Sequence, residues 1–362
     1  MKNKILTLFL STLVGSAFGA AIPSTIVGGG SDYLNIDSGS YLFDASTKPT
    51  ITINSGTGGY AGVEGGALTY TFNHGAENDA SVAPTYNFIT VNSDFEFKNK
   101  INMEFTAKVS WNDLTMAKVT VNNGATLKLH DINTSFSIGN TAQLVLVGNS
   151  STTNRSTVEI GTSSGYGTLA LICQQGIHVK LQQAAAMHQY HFYHGAKMTL
   201  GGDITMSNNI YVRTPQGSGA LASNLVSGTL DLAGHNMKTQ GLIFNPASVN
   251  NAEFVVDYGD NDISQYCALG TLSPKAGLTN YIRVQNFGLN DFLLFYNEVD
   301  TDMLLFDDYG VKGTDYEVVK LAEKVQYLGT SYNAYTIIPE PSTYAMILGA
   351  LAIGFVAYRR RK

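Results

Sequence analysis

Short runs in which apolar and polar residues alternate constrain the fold of this chain more than any other feature. Thr157-Val-Glu-Ile160 and Thr229-Leu-Asp-Leu232 are typical. Because successive side chains of a β-strand point to opposite faces, a period of two predicts strands with one buried face. Similar runs occupy Thr50–Asn54, Leu68–Phe72, Lys118–Val121, Thr126–Leu129 and Gln143–Val147. Apolar residues almost nowhere recur at helical spacing over ten residues, so helix is expected to be a minor element.

Several of these strands share an entry signal, in which a turn residue and a small residue precede the alternating stretch. The turn residues are Gly124, Asn140, Gly167, Gly195 and Gly228. The apolar residues that follow are spaced unevenly, with 17 positions from Leu127 to Leu144 and 32 from Met198 to Leu230. This spacing does not fit a leucine-rich or propeller repeat, but it suits stacked coils whose turns vary in length.

A right-handed parallel β-helix fits this pattern best, since each coil buries its apolar face only by stacking on the next. The passenger portions of autotransporters look similar, but they end in a membrane barrel that this sequence does not show. A jelly roll or stacked β-sandwiches are the alternative. We expect a cap or first coils over 20–110, a solenoid body over 111–289 and a closing β cap over 290–337.

Composition and charge exclude several classes of protein. Charged residues are 14% of the chain and hydrophobic residues 44%, which is unlike a disordered polyelectrolyte. The 362 residues contain 22 Lys and Arg, and six of these lie at the extreme ends. The stretch between Ala20 and Ile338 therefore has 16 cations against 27 acids, a net charge of −11. Nucleic acid is not an expected partner of such a surface.

The N-terminus has the three parts of a secretory signal peptide over residues 1–19. Lys2 and Lys4 precede an apolar run of ten residues from Ile5 to Val14, which is too short to span a bilayer. Ala17 and Gly19 then form a small-x-small cleavage site, and Gly19 with Ala21 forms a second one. We therefore expect export through the Sec machinery and cleavage by signal peptidase.

The C-terminus combines a proline motif, an apolar segment and a basic cluster within residues 338–362. Pro339, Glu340 and Pro341 precede an apolar stretch from Tyr344 to Tyr358, which predicts a short transmembrane helix over 344–358. The chain then ends in a cluster of cations that is expected to stay in the cytoplasm. This cluster is Arg359, Arg360, Arg361 and Lys362.

These last residues resemble a PEP-CTERM sorting signal. The resemblance covers only about the last 25 residues. It implies a Gram-negative bacterium in which an exosortase, an integral-membrane enzyme, processes the chain near Pro339-Glu340-Pro341. The precursor would be tethered to the inner membrane, and the mature protein would reach the outer envelope, the cell surface or the extracellular matrix. An ordinary tail anchor is the competing interpretation.

The remaining candidates for chemistry are few. His188, His191 and His194 could provide zinc or copper ligands, or they could fill a coil together with aromatic side chains. Asp257, Asp260 and Asp262 have loop spacing that permits calcium without the full EF-hand pattern. These acids, and those from Asp300 to Asp308, could also supply the carboxylate pair of a glycosidase. In an oxidising compartment, Cys173 and Cys267 permit either one disulfide or two buried thiols.

Two functional hypotheses follow from these patterns. The first is an exported structural or adhesive protein of the cell envelope or biofilm matrix, without catalysis or a required cofactor, that associates with exopolysaccharide or a neighbouring envelope protein. The second is a secreted polysaccharide lyase or glycoside hydrolase built on a β-helix. The glycine pairs of the sequence lack the following helix of a phosphate site.

Overall fold

A computed structural model of the chain describes most of the region between the two predicted terminal signals. The described residues are 40–43, 51–53, 59–61, 67–73, 85–92, 94–106, 116–136, 142–148, 155–164, 169–174, 176–181, 189–206, 208–214, 225–246, 251–259, 263–288 and 290–339. Both the predicted signal peptide 1–19 and the predicted membrane segment 344–358 lie outside these residues. Within them, no helix has the length and apolar character needed to cross a membrane.

Almost all regular structure in the described residues is β-strand. The first strands are β1 Ser40–Phe43, β2 Ile51–Ile53, β3 Gly59–Ala61, β4 Ala67–Asn73, β5 Thr85–Val91, β6 Phe95–Thr106, β7 Met116–Val121, β8 Thr126–Phe136, β9 Ala142–Val147, β10 Ser156–Ser164, β11 Leu169–Cys173, β12 Ile177–Leu181, β13 Gln189–Tyr193 and β14 Ala196–Thr199. The later strands are β15 Ile204–Thr205, β16 Asn209–Arg213, β17 Leu225–Asp231, β18 Met237–Lys238, β19 Gly241–Asn245, β20 Asn251–Asp257, β21 Tyr266–Ala268, β22 Thr271–Ser273, β23 Asn280–Gln285, β24 Phe292–Phe295, β25 Leu304–Phe306, β26 Tyr316–Lys320, β27 Val325–Tyr327 and β28 Thr330–Pro339. Two single-turn 3₁₀ helices occupy Thr301–Met303 and Asp307–Tyr309.

The described strands form three sheets, which we call sheets I, II and III. Sheet I has the order β1-β4-β6-β8-β10-β12-β14-β17-β20-β23-β25, with β3 also paired to β6. Sheet II has the order β2-β5-β7-β9-β11-β13-β16-β19-β22. Sheet III has the order β15-β18-β21-β24-β28-β26, with β27 also paired to β28. The predicted all-β class is confirmed, and these orders are compatible with a β-solenoid.

Strands of sheets I and II pair in parallel throughout, and the chain alternates between the sheets as it advances. From β14 to β23 it visits sheet I, then sheet III, then sheet II, before it returns to sheet I. Jelly rolls are built from antiparallel strands, so this parallel pairing favours the solenoid interpretation. The sequence predicts the ends of the first coils and of the solenoid body at positions 110 and 289. Strand pairing in sheet I continues across both positions, since β6 pairs with β8 and β23 pairs with β25.

Inward-facing side chains stack in register from strand to strand and form a continuous apolar core. In sheet I one such column consists of Phe95, Leu127, Val158, Val179, Met198, Leu230, Val256, Val284 and Phe306. Each of these side chains is at least 96% buried and belongs to a single core cluster. A single strand cannot bury this surface alone, so the core stabilises the stack only collectively.

The register also explains the uneven spacing in the sequence. Met198 and Leu230 are register partners in sheet I, so their 32 positions are one full coil. Leu127 lies in sheet I and Leu144 in sheet II, so the 17 positions between them only cross from one sheet to the next. Coils vary because the chain can lengthen its loops while it keeps each strand in register.

Gly228 does not begin a strand, contrary to the prediction from its entry signal. It lies in the middle of β17, and a Cβ atom built there would be 2.4 Å from Cβ of Phe192 in sheet II. Its register partner Ala196 is also small. These two positions leave room for the buried Phe192 ring, which contacts the Phe254 ring edge to face at 5.3 Å.

The C-terminal end of the stack is closed by strands of opposite direction. β28 pairs antiparallel with β24 on one side and with β26 on the other. At the end of sheet II, the side chain of Asn297 accepts a hydrogen bond from the Leu272 amide and donates one to the Leu272 carbonyl. Both devices satisfy backbone groups that would otherwise be open to pairing with another chain.

The packing at Gly228 gives a direct test of the stack. Gly228→Ala should lower the free energy of unfolding by about 1–3 kcal/mol, because the buried Phe192 ring has to move to admit the methyl group. Chemical denaturation of the two proteins measures this difference. Ser227→Ala is the matched control on the same strand, since this side chain points outward. Equal stability of the Gly228 variant and the control would contradict the described contact.

Candidate functional site

The outer face of sheet I carries a ladder of alternating charges. Lys128, Glu159 and Lys180 are consecutive register partners on β8, β10 and β12. The Glu159 carboxylate lies 3.7 Å from the Lys128 ammonium and 3.8 Å from that of Lys180. Opposite charges on neighbouring strands attract, whereas like charges directly opposite would repel. This ladder therefore contributes to strand register from the outer side.

The ladder continues along the next strands as a hydrogen-bonded cluster. The Lys197 ammonium lies 2.8 Å from the Asp231 carboxylate, which also accepts a 3.1 Å hydrogen bond from the Thr199 hydroxyl. His178 Nε2 lies 2.9 Å from the same hydroxyl. Lys197 and Asp231 are about four-fifths buried as side chains, so their charges are shielded from water more than in an exposed pair.

His178 is the most electrostatically perturbed group of this cluster. Its pKa is lowered to about 4, first because the ring is partly buried and then because Lys197, Lys180 and Arg155 are nearby cations. Asp231 opposes this shift more weakly. At neutral pH the imidazole is therefore uncharged and serves as a hydrogen-bonding group.

Further along the same face, one arginine connects the strands β23 and β20 with the 3₁₀ helix that begins at Asp307. Arg283 Nε donates to Glu253 at 2.7 Å, and its Nη1 donates to Asp307 at 2.5 Å. Gln285 donates to the other oxygen of Asp307 at 2.9 Å. The carboxylates of sheet I described so far are thus bound by side chains of neighbouring strands.

Asp291 is a buried acid with a different role. Burial raises the pKa of its carboxyl, although the amides of Gly288 and Gln265 both donate to it and lower the pKa in part. The two hydrogen bonds measure 2.7 and 2.9 Å. Asp291 therefore joins the turn before β21 to the turn before β24.

Of the predicted histidine cluster, His191 lies against an aromatic side chain on the outer face of sheet II, and His194 lies in the turn after β13. His191 of β13 is 97% buried, its ring centroid is 4.7 Å from that of Tyr211, and Nε2 lies 3.0 Å from the Gln189 side-chain oxygen. The Arg213 guanidinium covers the same Tyr211 ring at 4.5 Å. Burial lowers the pKa of His194, whose Nδ1 is buried without a hydrogen-bond partner. His188 lies outside the described residues.

No group of three or more potential metal ligands is present among the described residues. Asp257 accepts hydrogen bonds from the Gly259 amide at 3.0 Å and from the Asn286 side chain at 2.7 Å, both on the same oxygen. Asp260 and Asp262 lie outside the described residues. The calcium prediction at this loop therefore stays a prediction.

Both cysteines are free, buried thiols, so the disulfide that their number permitted does not form in this structure. Cys173 lies in β11 of sheet II, and Cys267 lies in β21 of sheet III. Each fills an apolar column, with Leu146 and Phe192 beside Cys173 and Met237 and Leu293 beside Cys267. Different sheets and different coils keep the sulfurs apart, and burial raises the pKa of both thiols.

The predicted sorting residues meet the described structure at one position. Pro339 is the last residue of β28 and the register partner of Tyr316 in β26. Glu340, Pro341 and the basic residues Arg359, Arg360, Arg361 and Lys362 lie outside the described residues, as do Ala17 and Gly19 at the predicted signal cleavage site.

One surface that the sequence patterns did not predict lies on sheet III. The rings of Tyr266, Phe292 and Tyr327 stack almost parallel, with centroids 5.0 Å apart for Tyr266 and Phe292 and 4.7 Å apart for Tyr266 and Tyr327. We call these three residues the aromatic row. A second stacked pair, Tyr296 and Tyr332, lies beside it with centroids 4.8 Å apart. These partners are 26 to 61 positions apart in the sequence, and only the register of the strands brings them together.

Comparisons with protein-family models, with curated proteins and with solved structures find no significant match to this chain.

The environment of His178 predicts a specific dependence of stability on pH. Below about pH 6.5 the unfolded chain binds a proton at this residue that the folded chain accepts only near pH 4. The free energy of unfolding should therefore fall as the pH drops through this window. Denaturation at pH 7 and pH 4.5 should show a smaller loss of the free energy of unfolding in His178→Gln than in the unmodified protein. The glutamine keeps a polar partner for Thr199. An equal loss in both proteins would refute the lowered pKa.

Proposed function

We propose that this chain is an exported, non-catalytic protein of the cell envelope or extracellular matrix. Its precursor is sorted through the PEP-CTERM-like tail by an exosortase, and its body is a right-handed parallel β-helix. The two terminal sequences support the route, and the parallel sheets with one continuous core support the architecture. Associated polysaccharide, or a neighbouring envelope protein, is its proposed partner.

The observation that carries the non-catalytic assignment is the mutual pairing of charged groups on sheet I. Glu159, Asp231 and Glu253 each contact a lysine or arginine of another strand. A general acid or base needs a proton to give or accept near a substrate, whereas these groups hold their strands in register. Paired charges of this kind suit a stiff, extended body that presents a surface.

The location of the proposed sorting motif also fits this route. β28 closes the C-terminal end of sheet III and ends at Pro339, so the proposed tail starts where the closing strand ends. Tyr316 to Lys320 of β26 pair with this strand up to its last residue. The β-rich body thus keeps its closing strand β28 when the chain is processed beyond Pro339.

The rival function is a polysaccharide lyase or glycoside hydrolase, and one observation favours it. Asp231 and Asp257 are register partners on the neighbouring strands β17 and β20. Parallel neighbours lie about 4.8 Å apart, which is close to the carboxylate separation of retaining glycosidases. However, Asp231 binds Lys197 and Asp257 binds Asn286, so each carboxylate already has its own partner.

Processing of the tail is the first test. The mature envelope protein should lack Tyr344–Lys362, and Glu340→Ala should make the uncleaved precursor accumulate in the inner membrane. Mass spectrometry of the fractionated envelope measures both. Glu323→Ala, an exposed change outside the motif, should be processed like the unmodified protein. Recovery of Arg359–Lys362 on the mature surface form would exclude the sorting proposal.

Incubation with polysaccharide separates the structural proposal from its enzymatic rival. The exported protein should release no new reducing ends and no unsaturated products from matrix polysaccharides, either with or without calcium. Release of such products would reject the non-catalytic assignment. If the Asp231→Asn variant no longer released these products, the reaction would be placed at the Asp231–Asp257 pair.

A further inference from the structure

The aromatic row on the outer face of sheet III has a definite direction. Tyr266 of β21 and Phe292 of β24 are register partners, so Phe292 lies one strand spacing toward the C-terminal end of the sheet. Its ring covers one face of the Tyr266 ring at an interplanar angle of 8°. The other face of Tyr266 looks toward β18.

Tyr327 covers this second face of Tyr266, although it comes from the far end of the chain. The two rings are 3° from parallel. The hairpin of β27 and β28 is held above β18 because the Lys238 ammonium donates to the Leu328 carbonyl at 3.3 Å and to the Thr330 hydroxyl at 3.1 Å. Tyr327 therefore extends the row by one strand spacing toward the N-terminal end of sheet III.

The next position along the row is lined by polar groups. Asp203, Asn236 and Tyr266 occupy successive register positions, each just before the paired residues of β15, β18 and β21. The Asp203 carboxylate accepts hydrogen bonds from the Asn236 amide at 2.8 Å and its side chain at 3.2 Å. His235 Nδ1 lies 3.8 Å from Asp203. Burial and then the charge of Asp203 raise the pKa of Tyr327 to about 12, so its hydroxyl stays a donor.

The turn beside Tyr327 holds an uncommon conformation. Leu328 has a φ of 45° and Gly329 a φ of 72°. A bulky residue with positive φ is unfavourable, and such backbone conformations concentrate at binding sites. The Leu328 side chain is nevertheless 58% exposed, so burial of this side chain does not compensate the cost. The turn presents an apolar side chain directly beside the last ring of the row.

We propose that the face of Tyr327 that points away from Tyr266 binds a pyranose ring of a neutral glycan. The sugar ring continues the aromatic row by one position, the Asp203 carboxylate accepts hydrogen bonds from its hydroxyl groups, and Leu328 contacts its edge. Aromatic rings supply large, rigid contact area, and a carboxylate fixes the orientation of hydroxyl donors. The inference rests on the proposed function and names the class of its polysaccharide.

Charge selects the neutral class over acidic polysaccharides. The Asp203 side chain is 66% exposed, and the chain between Ala20 and Ile338 has a net charge of −11. A uronate carboxylate placed over Tyr327 would meet this like charge, and the repulsion would weaken its binding. A neutral sugar meets no such penalty.

Binding of defined polymers to the purified exported protein tests the site. Isothermal titration with a panel of neutral glucans, galactans and mannans, and with polygalacturonate as the anionic arm, should show binding to a neutral member and weaker binding to the anionic one. Tyr327→Leu should weaken the neutral interaction roughly tenfold, as expected for one lost stacking contact. Tyr327→Phe should stay within about twofold, because the ring remains.

Matched variants separate loss of the site from loss of the fold. Tyr281→Leu removes a partly exposed tyrosine from sheet I and should leave binding unchanged. Asp203→Asn should weaken binding several-fold while the hairpin stays folded, as judged by an unchanged melting temperature. Equal effects of the Tyr327 and Tyr281 variants, preference for polygalacturonate, binding to no neutral polymer, or self-association through the hairpin that excludes glycan would each overturn the proposal.

The outcome is independent of the sorting test. Glycan binding is measured with purified protein, whereas processing is measured on the tail of the envelope-associated protein. Normal processing without glycan binding would remove this inference alone. Glycan binding without processing would remove the exosortase route and leave the site.

Discussion

The in-register stacking of inward side chains is the interaction on which the rest of this structure depends. In sheet I the column from Phe95 to Phe306 crosses nine parallel strands, and each strand adds one apolar side chain to it. A slip by one residue would turn the apolar column outward, so burial alone excludes it, whereas a slip by two residues keeps every side chain on its face. Lys128, Glu159 and Lys180 provide a second constraint, because a two-residue slip would separate these paired charges.

Local patterns predicted the strands well, since a period of two is a property of neighbouring residues. Thr157–Ile160 and Gln143–Val147 both lie in strands of the structure. Gly228 was wrongly predicted to be a turn residue, because a glycine before an alternating run is typical of a turn. The position needs glycine because Phe192 of another sheet leaves no room for a Cβ atom. The charge ladder, the surroundings of His178 and the aromatic row were out of reach for the same reason. Their partners are 19 to 61 positions apart, and coil lengths vary too much for the sequence to align them.

The structure separates two kinds of outer surface with different physical roles. On sheet I, charged side chains bind one another across strands, which stabilises the stack and leaves few groups for chemistry. On sheet III, aromatic rings stack from one strand to the next, and a C-terminal hairpin adds the last ring. The proposed envelope or matrix role would use the first surface for stability and the second for recognition. In the same proposal, the terminal sequences direct export and sorting.

The most direct test of this account is a measurement of register within the core. Methyl-labelled protein should give nuclear Overhauser effects from the Met198 methyl group to both Val179 and Leu230, its partners on β12 and β17. These residues are 19 and 32 positions away, so only stacked parallel coils bring all three together. Absence of the Met198 contact to Val179, or of the contacts to both Val179 and Leu230, would contradict the stacked arrangement. It would also contradict the two surfaces described above.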